Sequence, residues 1–432
     1  MQTDQSGPAH HWPAKVEAPS DTLYPAQSVL LVIGQTYKDH LCYNLGTMEL
    51  SKILIVHTGG GLGDVLVSTP VIEALHLNFP QAQIDFLARQ STAAAVRHNP
   101  WITDVYTIDK PKLNISEIFA WSRKLREQHY DCALILWSTA SLAFTLYLAR
   151  IPVRVGQDSR FFYSWSYTHR VRIRSEHGDT KSHWSEVMLD FVRSLNIPVQ
   201  PCQPRFFVTD EAKLKAQELL KELPVGHGFS VRLEGRGRDF LKNLSKNLSA
   251  QTEGSPIVGF HVGKGVDYSK VKWPVEHFAC WAKALEEKRQ ARLVFTGSAQ
   301  ERPTVEAIIA QAQLSSCLNL AGQTDVDTMA AVISQCQFFV CPDSGPGHLA
   351  AACGIPTLDI FALKEDFPER WRPLGAPTVV LRPTQWKCSR TCYKQKCPDF
   401  ACYEEISVDE FLEGFDKLTA QIRTKVENKQ DN

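Results

Sequence analysis

Two glycine-rich loops hold the residues best suited to chemistry. The first, His57-Thr-Gly-Gly-Gly-Leu-Gly-Asp64, follows the apolar run Ile53–Val56. Its glycines let main chain approach a ligand closely, and the helix start behind it offers unpaired N–H groups. Asp64 has two readings there: a helix cap, or a general base kept ionised on the floor of a cleft. The loop matches the dinucleotide pattern Gly-x-Gly-x-x-Gly only in part. Asp64 stands where the third glycine belongs and would repel a pyrophosphate. The second loop, Asp343-Ser-Gly-Pro-Gly-His348, follows the apolar Phe339-Val-Cys-Pro. Ser344, Gly345 and Gly347 suit an anion site, His348 can donate to a phosphate oxygen, and Asp343 can accept from a sugar hydroxyl. Two further loops have weaker claims. One runs from Phe260 to Lys272-Trp-Pro274 and offers Lys264, Lys270 and Lys272 as counter-charges for a diphosphate. The other, Gly297-Ser-Ala-Gln-Glu301, offers an acid for a ribose.

Such loops need strands that end where they begin. Ile53–Val56, Gln83–Leu87 and Cys132–Leu136 read as strands between helices Asp64–Leu77 and Ile115–His129. Helices Ser182–Leu195 and Glu211–Leu223 close this half. A second series has strands Ile257–His261, Arg292–Thr296, Phe338–Cys341 and Thr357–Ile360. Its helices are Val275–Glu287, Glu301–Gln311, Thr328–Ser334 and His348–Ala352. Short apolar strands alternating with helices imply parallel sheets with crossover helices, an α/β fold. The expected division is an extension over 1–47, a first domain over 48–223 and a glycine-rich linker or insertion over 224–255. A second domain follows over 256–405, then a C-terminal helix and tail over 406–432. The extension is rich in Pro, His, Ser and Gln, and Met48 offers an alternative start.

The chain has 432 residues, with 47 basic and 47 acidic side chains and 44% hydrophobic content. That excludes a disordered chain, a collagen-like repeat or a small disulfide scaffold. Neutrality also weakens a nucleic-acid reading. The early apolar stretch Ser28–Gly34 is far short of the ~20 residues a membrane span needs, and no secretory signal precedes it. A reducing cytoplasm is therefore expected. Of 12 cysteines, Cys388, Cys392, Cys397 and Cys402 crowd together as C-x3-C-x4-C-x4-C. Four thiolates can hold zinc or an iron–sulfur cluster, but these gaps match neither common pattern, so structural thiols are the favoured reading. No cofactor is expected.

One segment is locally basic. Arg150, Arg154, Arg160, Arg170, Arg172 and Arg174 face a single acid, Asp158, and are interleaved with Phe161, Phe162, Tyr163, Trp165 and Tyr167. Arginine forks with aromatics suit an anionic glycolipid or a membrane interface; strands with aromatics turned into a core are the plainer reading.

Taken in order, these motifs resemble glycosyltransferase family 9, which includes the heptosyltransferases of the lipopolysaccharide inner core. They are Gly-Leu-Gly-Asp64-x-Leu with Thr69-Pro, Lys272-Trp-Pro, Gly297-x-x-x-Glu301, Asn319-Leu-Ala-Gly322 and Asp343-Ser-Gly-Pro-Gly-His348. The resemblance implies a GT-B fold, two Rossmann-like domains facing each other across a cleft, with acceptor bound by the first and donor by the second. It implies inverting, metal-independent transfer of heptose from ADP-heptose to Kdo or heptose of the inner core. By position, Asp64 would be the general base and Lys272 the lysine near the diphosphate. Asp343 would face the donor sugar, and Ser344, Gly345, Pro346, Gly347 and His348 would form the phosphate loop. Glu301, Leu320 and Gly322 would line the nucleoside pocket, with Gly297 also on the donor side. Gly61, Gly63, Arg154, Arg160 and Arg170 fall on the acceptor side. The implied partners are an ADP-sugar, an anionic glycolipid and the cytoplasmic face of the inner membrane, not nucleic acid. Two alternatives stand beside this: a nicotinamide-dependent oxidoreductase, and a non-catalytic sugar-nucleotide binder.

Overall fold

The structure, a computed structural model, describes residues 49–137, 139–224, 255–265, 270–392 and 397–430, with side chains to residue 422. The 1–47 extension and nearly all of the 224–255 insertion lie outside the described residues.

Two six-stranded sheets form the frame. The first contains β1 (Lys52–His57), β2 (Gln83–Arg89), β3 (Val105–Ile108), β4 (Cys132–Trp137), β5 (Val153–Gln157) and β6 (His169–Val171) in the order β3-β2-β1-β4-β5-β6. The second contains β7 (Ile257–His261), β8 (Arg292–Thr296), β9 (Cys317–Asn319), β10 (Phe338–Pro342), β11 (Thr357–Ile360) and β12 (Thr378–Leu381) in the order β12-β11-β10-β7-β8-β9. Every strand pairing is parallel. Ile53, Leu54, Ile55 and Val56 are all fully buried, because helices cover both faces of the sheet. That is why the central strands read as unbroken apolar runs. Strand order reverses between β1 and β4, and again between β7 and β10. Ligands of doubly wound sheets collect at such reversals, outside the carboxyl ends of the strands.

The first lobe carries α1 (Leu62–Leu66), α2 (Pro70–Asn78), α3 (Ile115–Glu127), α4 (Ala140–Leu148) and α5 (Trp184–Arg193). A single helix over Asp64–Leu77 was the expectation, and the chain breaks it in two. Pro70 has no N–H to continue the ladder, so α1 ends in a turn and Pro70 starts α2. The next helix, α6 (Asp210–Leu220), was expected to close the first half. Instead Ala212, Ala216 and Leu223 pack against Ile257, Val294 and Leu320, so the chain has already reached the second lobe.

The second lobe continues with α7 (Val275–Arg289), α8 (Arg302–Ala312), α9 (Val326–Ile333), α10 (Gly345–Ala352), α11 (Pro368–Trp371) and α12 (Val408–Gln430). Helix α12 is no appended tail. Phe411, Leu412, Phe415, Leu418 and Ile422 enter the same core as Val258, Phe338 and Leu358.

The lobes share buried apolar contact. Val65, Leu66 and Val71 belong to one core with Phe339, Cys341, Leu349, Ala350 and Ile355. A second clasp stacks Trp184 on Trp371, with ring centroids 5.3 Å apart, and pairs Nε2 of His183 with the Arg372 carbonyl at 2.9 Å. Arg370 also donates to the Asp179 carbonyl. A continuous core predicts one cooperative unfolding transition. Scanning calorimetry should show a single peak with equal calorimetric and van't Hoff enthalpies; two resolved peaks would mean the lobes melt independently.

Candidate active site

The loop after β1 curls around the Asp64 carboxylate. The Gly61 N–H donates to its Oδ2 at 2.6 Å. Gly60 has φ +63°, and a Cβ there would lie 2.4 Å from Asp64 Cγ, so only glycine permits this turn. The capping reading of Asp64 is met, since Oδ2 ties down the helix start from the first turn, and the carboxylate stays partly exposed.

Three strand-end residues that were not singled out support the loop. Arg89, last in β2, donates to the Gly60 carbonyl. Trp137, last in β4, covers Gly59, where a Cβ would lie 2.0 Å from the indole. His57, last in β1, is fully buried; burial lowers its pKa to about 4, so the ring is neutral at physiological pH. The only sequence signal for them is that each ends a strand bordering the loop.

On the opposite lobe, the lysine that reaches Asp343 is Lys264. Its Nζ lies 3.1 Å from Asp343 Oδ2 and 3.0 Å from Asp366 Oδ2, and its side chain is fully buried. Burial opposes the charge of Lys264, yet the two carboxylates outweigh it and hold its pKa above the ordinary value. Asp359 of β11 lies deeper, and burial drives its pKa well above the usual carboxylate range. Burial likewise raises Asp366, with Lys264 only partly opposing it.

His348, on the first turn of α10, is buried, and its Nδ1 and the Ser344 Oγ have no hydrogen-bond partner among the described residues. Burial lowers the His348 pKa, while the nearby Asp343 and Asp64 pull it back up. The lobes touch here. A Cβ on Gly63 would lie 2.8 Å from His348 Cδ2 and 3.3 Å from Gly345 Cα.

A third group converges beside β8. Glu301 is buried and accepts from the Ser298 N–H at 2.7 Å and the Ser298 hydroxyl at 2.9 Å. Gly263 makes room for it, since a Cβ there would lie 1.7 Å from Glu301 Oε1. The Gly322 N–H donates to the Gly297 carbonyl at 2.8 Å and the Leu320 N–H to the Phe295 carbonyl at 2.9 Å. Gly297, Glu301, Leu320 and Gly322 are thus one cluster, next to the Gly263–Lys264 turn.

Other candidates lie apart from these contacts. Lys272 is exposed; its N–H donates to the Pro398 carbonyl at 2.7 Å, and its charge acts on Asp399. Arg154 donates to the carbonyls of Ser166 and Ile151 and lies over the Tyr147 ring, which makes it a brace within the fold. Arg160 is exposed with Glu176 at 3.3 Å, and Arg170 is exposed on β6. Cys388, Cys392, Cys397 and Cys402 are unpaired thiols; Cys402 is buried, and Cys392 and Cys397 pack against the second-lobe core.

Comparison with known proteins gives this geometry a family. A profile of glycosyltransferase family 9 (heptosyltransferase) matches residues 118–399. The chain belongs to glycosyltransferase family 9. Family 9 relatives include lipooligosaccharide heptosyltransferase 2 of Haemophilus ducreyi, 26% identical over 336 residues, covering 77% of this chain and 88% of the relative. Lipopolysaccharide heptosyltransferase 2 of Escherichia coli K12 is 25% identical with the same coverage. Solved structures agree on the fold. The family 9 glycosyltransferase of Veillonella parvula has a TM-score of 0.67 at 18% identity, covering 87% of this chain and 99% of that one. The ADP-heptose lipopolysaccharide heptosyltransferase II of E. coli has a TM-score of 0.62 at 22% identity, with coverages of 86% and 99%. The E. coli heptosyltransferase WaaC, solved with ADP-2-deoxy-2-fluoro heptose, has a TM-score of 0.56 at 16% identity, with coverages of 85% and 99%. The fold is GT-B, and this family 9 protein is a glycosyltransferase. The nicotinamide reading gives way, and the first lobe shows why. Asp85, third in β2, is buried and binds the Tyr130 hydroxyl at 2.6 Å, while the end of that strand carries Arg89 where a ribose-binding acid would stand.

Two measurements probe this electrostatic design. Lys264→Met would remove a buried counter-charge from Asp343 and Asp366, an expected loss of about 3–5 kcal/mol in urea unfolding. A loss under about 1 kcal/mol would refute the coupling. His57 binds its proton less tightly folded than unfolded, so its contribution is present above its ordinary value of 6.5 and is lost as pH falls toward about 4. Stability should drop by about 3 kcal/mol across that window from this group, and His57→Gln should flatten the slope. An unchanged slope would show that the histidine is not buried neutral.

Proposed function

We propose that this enzyme transfers heptose with inversion from ADP-heptose to a sugar of the lipopolysaccharide inner core, Kdo or heptose. The acceptor would be an anionic glycolipid met at the cytoplasmic face of the inner membrane. The observation that carries this reading is the meeting of Asp64 with His348 and Gly345 across the Gly63 contact. Asp64 on one lobe and the Ser344–His348 loop on the other flank one point, which supports their reading as base and phosphate loop. The names of the curated relatives and the ADP-heptose analogue held by WaaC support the donor and the substrate class. No helix among the described residues is long and apolar enough to cross a membrane, so the contact would be peripheral.

In this scheme Asp64 takes the proton from an acceptor hydroxyl as that oxygen attacks the anomeric carbon. The bond from that carbon to the diphosphate oxygen breaks on the opposite face, and its electron pair leaves with ADP. Charge growing on the diphosphate meets His348, the Ser344 hydroxyl and the first N–H groups of α10. Those donors are held in place by packing and can do the work that other transferases give to a metal. The charge of an approaching phosphate would add to the pull of Asp343 and Asp64 against the burial that lowers the His348 pKa, and so favour a second proton on the ring. Asp343, steadied by Lys264, would hold a hydroxyl of the donor sugar. Glu301 with Gly297, Leu320 and Gly322 would seat the adenosine, and Lys272 would approach the diphosphate on donor binding. Arg160 and Arg170 would meet acceptor anions.

The decisive variant is Asp64→Asn. Turnover should fall about 10²–10⁴-fold, while ADP-heptose affinity measured by calorimetry stays within about twofold. A variant retaining more than about a tenth of the wild-type rate would remove Asp64 from the base role. Product analysis with acceptors truncated after Kdo or after the first heptose identifies the acceptor and the anomeric configuration.

A further inference from the structure

The loop after β5 presents apolar surface that the transfer scheme does not use. Phe161 is 90% exposed, Phe162 80%, Trp165 52%, and Tyr147 of α4 44%. The rings form two groups, joined where the Trp165 indole N–H donates to the Phe162 carbonyl. Phe161 meets Phe162 edge to face at 5.5 Å, and Trp165 lies 5.3 Å from Tyr147 and 6.0 Å from Phe144.

This loop is built, not slack. The Ser164 hydroxyl donates to the Gln157 carbonyl at 2.7 Å and accepts from the Arg160 N–H at 3.0 Å. The Ser166 hydroxyl donates to the Tyr163 carbonyl at 2.8 Å. The indole N–H of Trp165 donates to the Phe162 carbonyl at 3.0 Å, so the outer side of the indole needs no aqueous partner. Tyr167 is buried and Tyr163 packs on the same core, which anchors the loop from below. The aromatic run therefore divides: the tyrosines turn inward, and Phe161, Phe162 and Trp165 turn out.

Charge and position indicate what covers them. Arg150, Arg160, Arg170 and Arg172 are exposed in the same segment, where Asp158 is the single acid between residues 150 and 174. Arg160 keeps one contact to Glu176 at 3.3 Å. An apolar prong with guanidinium groups around it complements an anionic bilayer surface. A second copy would set arginines against arginines, because a twofold interface pairs a surface with itself. Strand β5 is parallel to β1 and separated from it by β4. The prong thus leaves the same carboxyl edge as the Asp64 loop, about 10 Å along the sheet.

We propose that residues 158–167 with α4 form a membrane-docking prong. It inserts Phe161, Phe162 and Trp165 into the interface of an anionic bilayer and brings Asp64 to the sugars of a lipid that stays in the membrane. The inference rests on the glycolipid reading of the acceptor. The test is co-sedimentation with phosphatidylcholine vesicles with and without phosphatidylglycerol, using wild type and Phe161→Ser/Phe162→Ser. Wild type should bind the anionic vesicles and release them at high salt. The double variant should lose at least tenfold in partitioning, yet keep its rate on a deacylated acceptor and its melting temperature. Equal vesicle binding by the two proteins would overturn the proposal. So would an equal fall of the rate on deacylated acceptor, which marks a sugar subsite. A wild-type dimer that the variant abolishes in sedimentation would overturn it in favour of self-association. Vesicle binding by a wild type that glycosylates neither truncated acceptor would support docking and refute the acceptor reading alone.

Discussion

Two helix starts meet glycine to glycine, with the His348 ring beside them, and the rest of the molecule is arranged to allow it. Gly63 on α1 faces Gly345 and His348 on α10, so close that even a methyl group at Gly63 would collide. The approach is possible because both sheets are wholly parallel and present the carboxyl ends of their strands to the same region. The shared core of Val65, Leu66, Phe339 and Leu349 then holds the two edges together. Bulk at this contact would separate the Asp64 carboxylate of one lobe from the Ser344–His348 loop of the other.

The second lobe is under an electrostatic constraint. Asp343, Asp359 and Asp366 all act with the Lys264 ammonium. Removing two like charges from water is costly, and the fold answers by raising the affinity of Asp359 and Asp366 for protons. Asp343 is the most exposed member of the two Lys264 ion pairs, at 23% against 8% for Asp366 and none for Lys264. The buried groups hold it in place from behind and leave it facing outward. The first lobe works differently: its carboxylate is positioned by a glycine turn and one main-chain N–H, with a neutral histidine and an arginine supporting the loop.

Much of this was legible in the chain. Strands β7, β8 and β11 fall on the expected residues, because strands covered on both faces must be apolar throughout. The edge strands β9 and β12 were missed: β9 is only three residues long, and the apolar run Val379-Val-Leu381 of β12 is short and only half-buried. The β5–β6 region hid behind its arginines. The Asp64 and Asp343 loops were visible because glycine, proline and acid cluster where a strand gives way to a helix. His57 and Trp137 were not, because a strand-end aromatic becomes part of a site only when the neighbouring strand places a loop beside it.

Sequence alone determined the alternation of strand and helix, the two glycine loops and the order of motifs that marks family 9, since all of these are local patterns within a few residues. Only the tertiary structure decided which lysine meets Asp343. Lys264, Lys270 and Lys272 are chemically equivalent in the sequence, and the turn after β7 buries Lys264 between carboxylates from segments about 80 and 100 residues away. It likewise decided that α6 belongs to the second lobe and that Phe161, Phe162 and Trp165 face outward while Tyr167 faces in. Pairing between distant segments depends on how whole sheets stack, and no local run of residues encodes it.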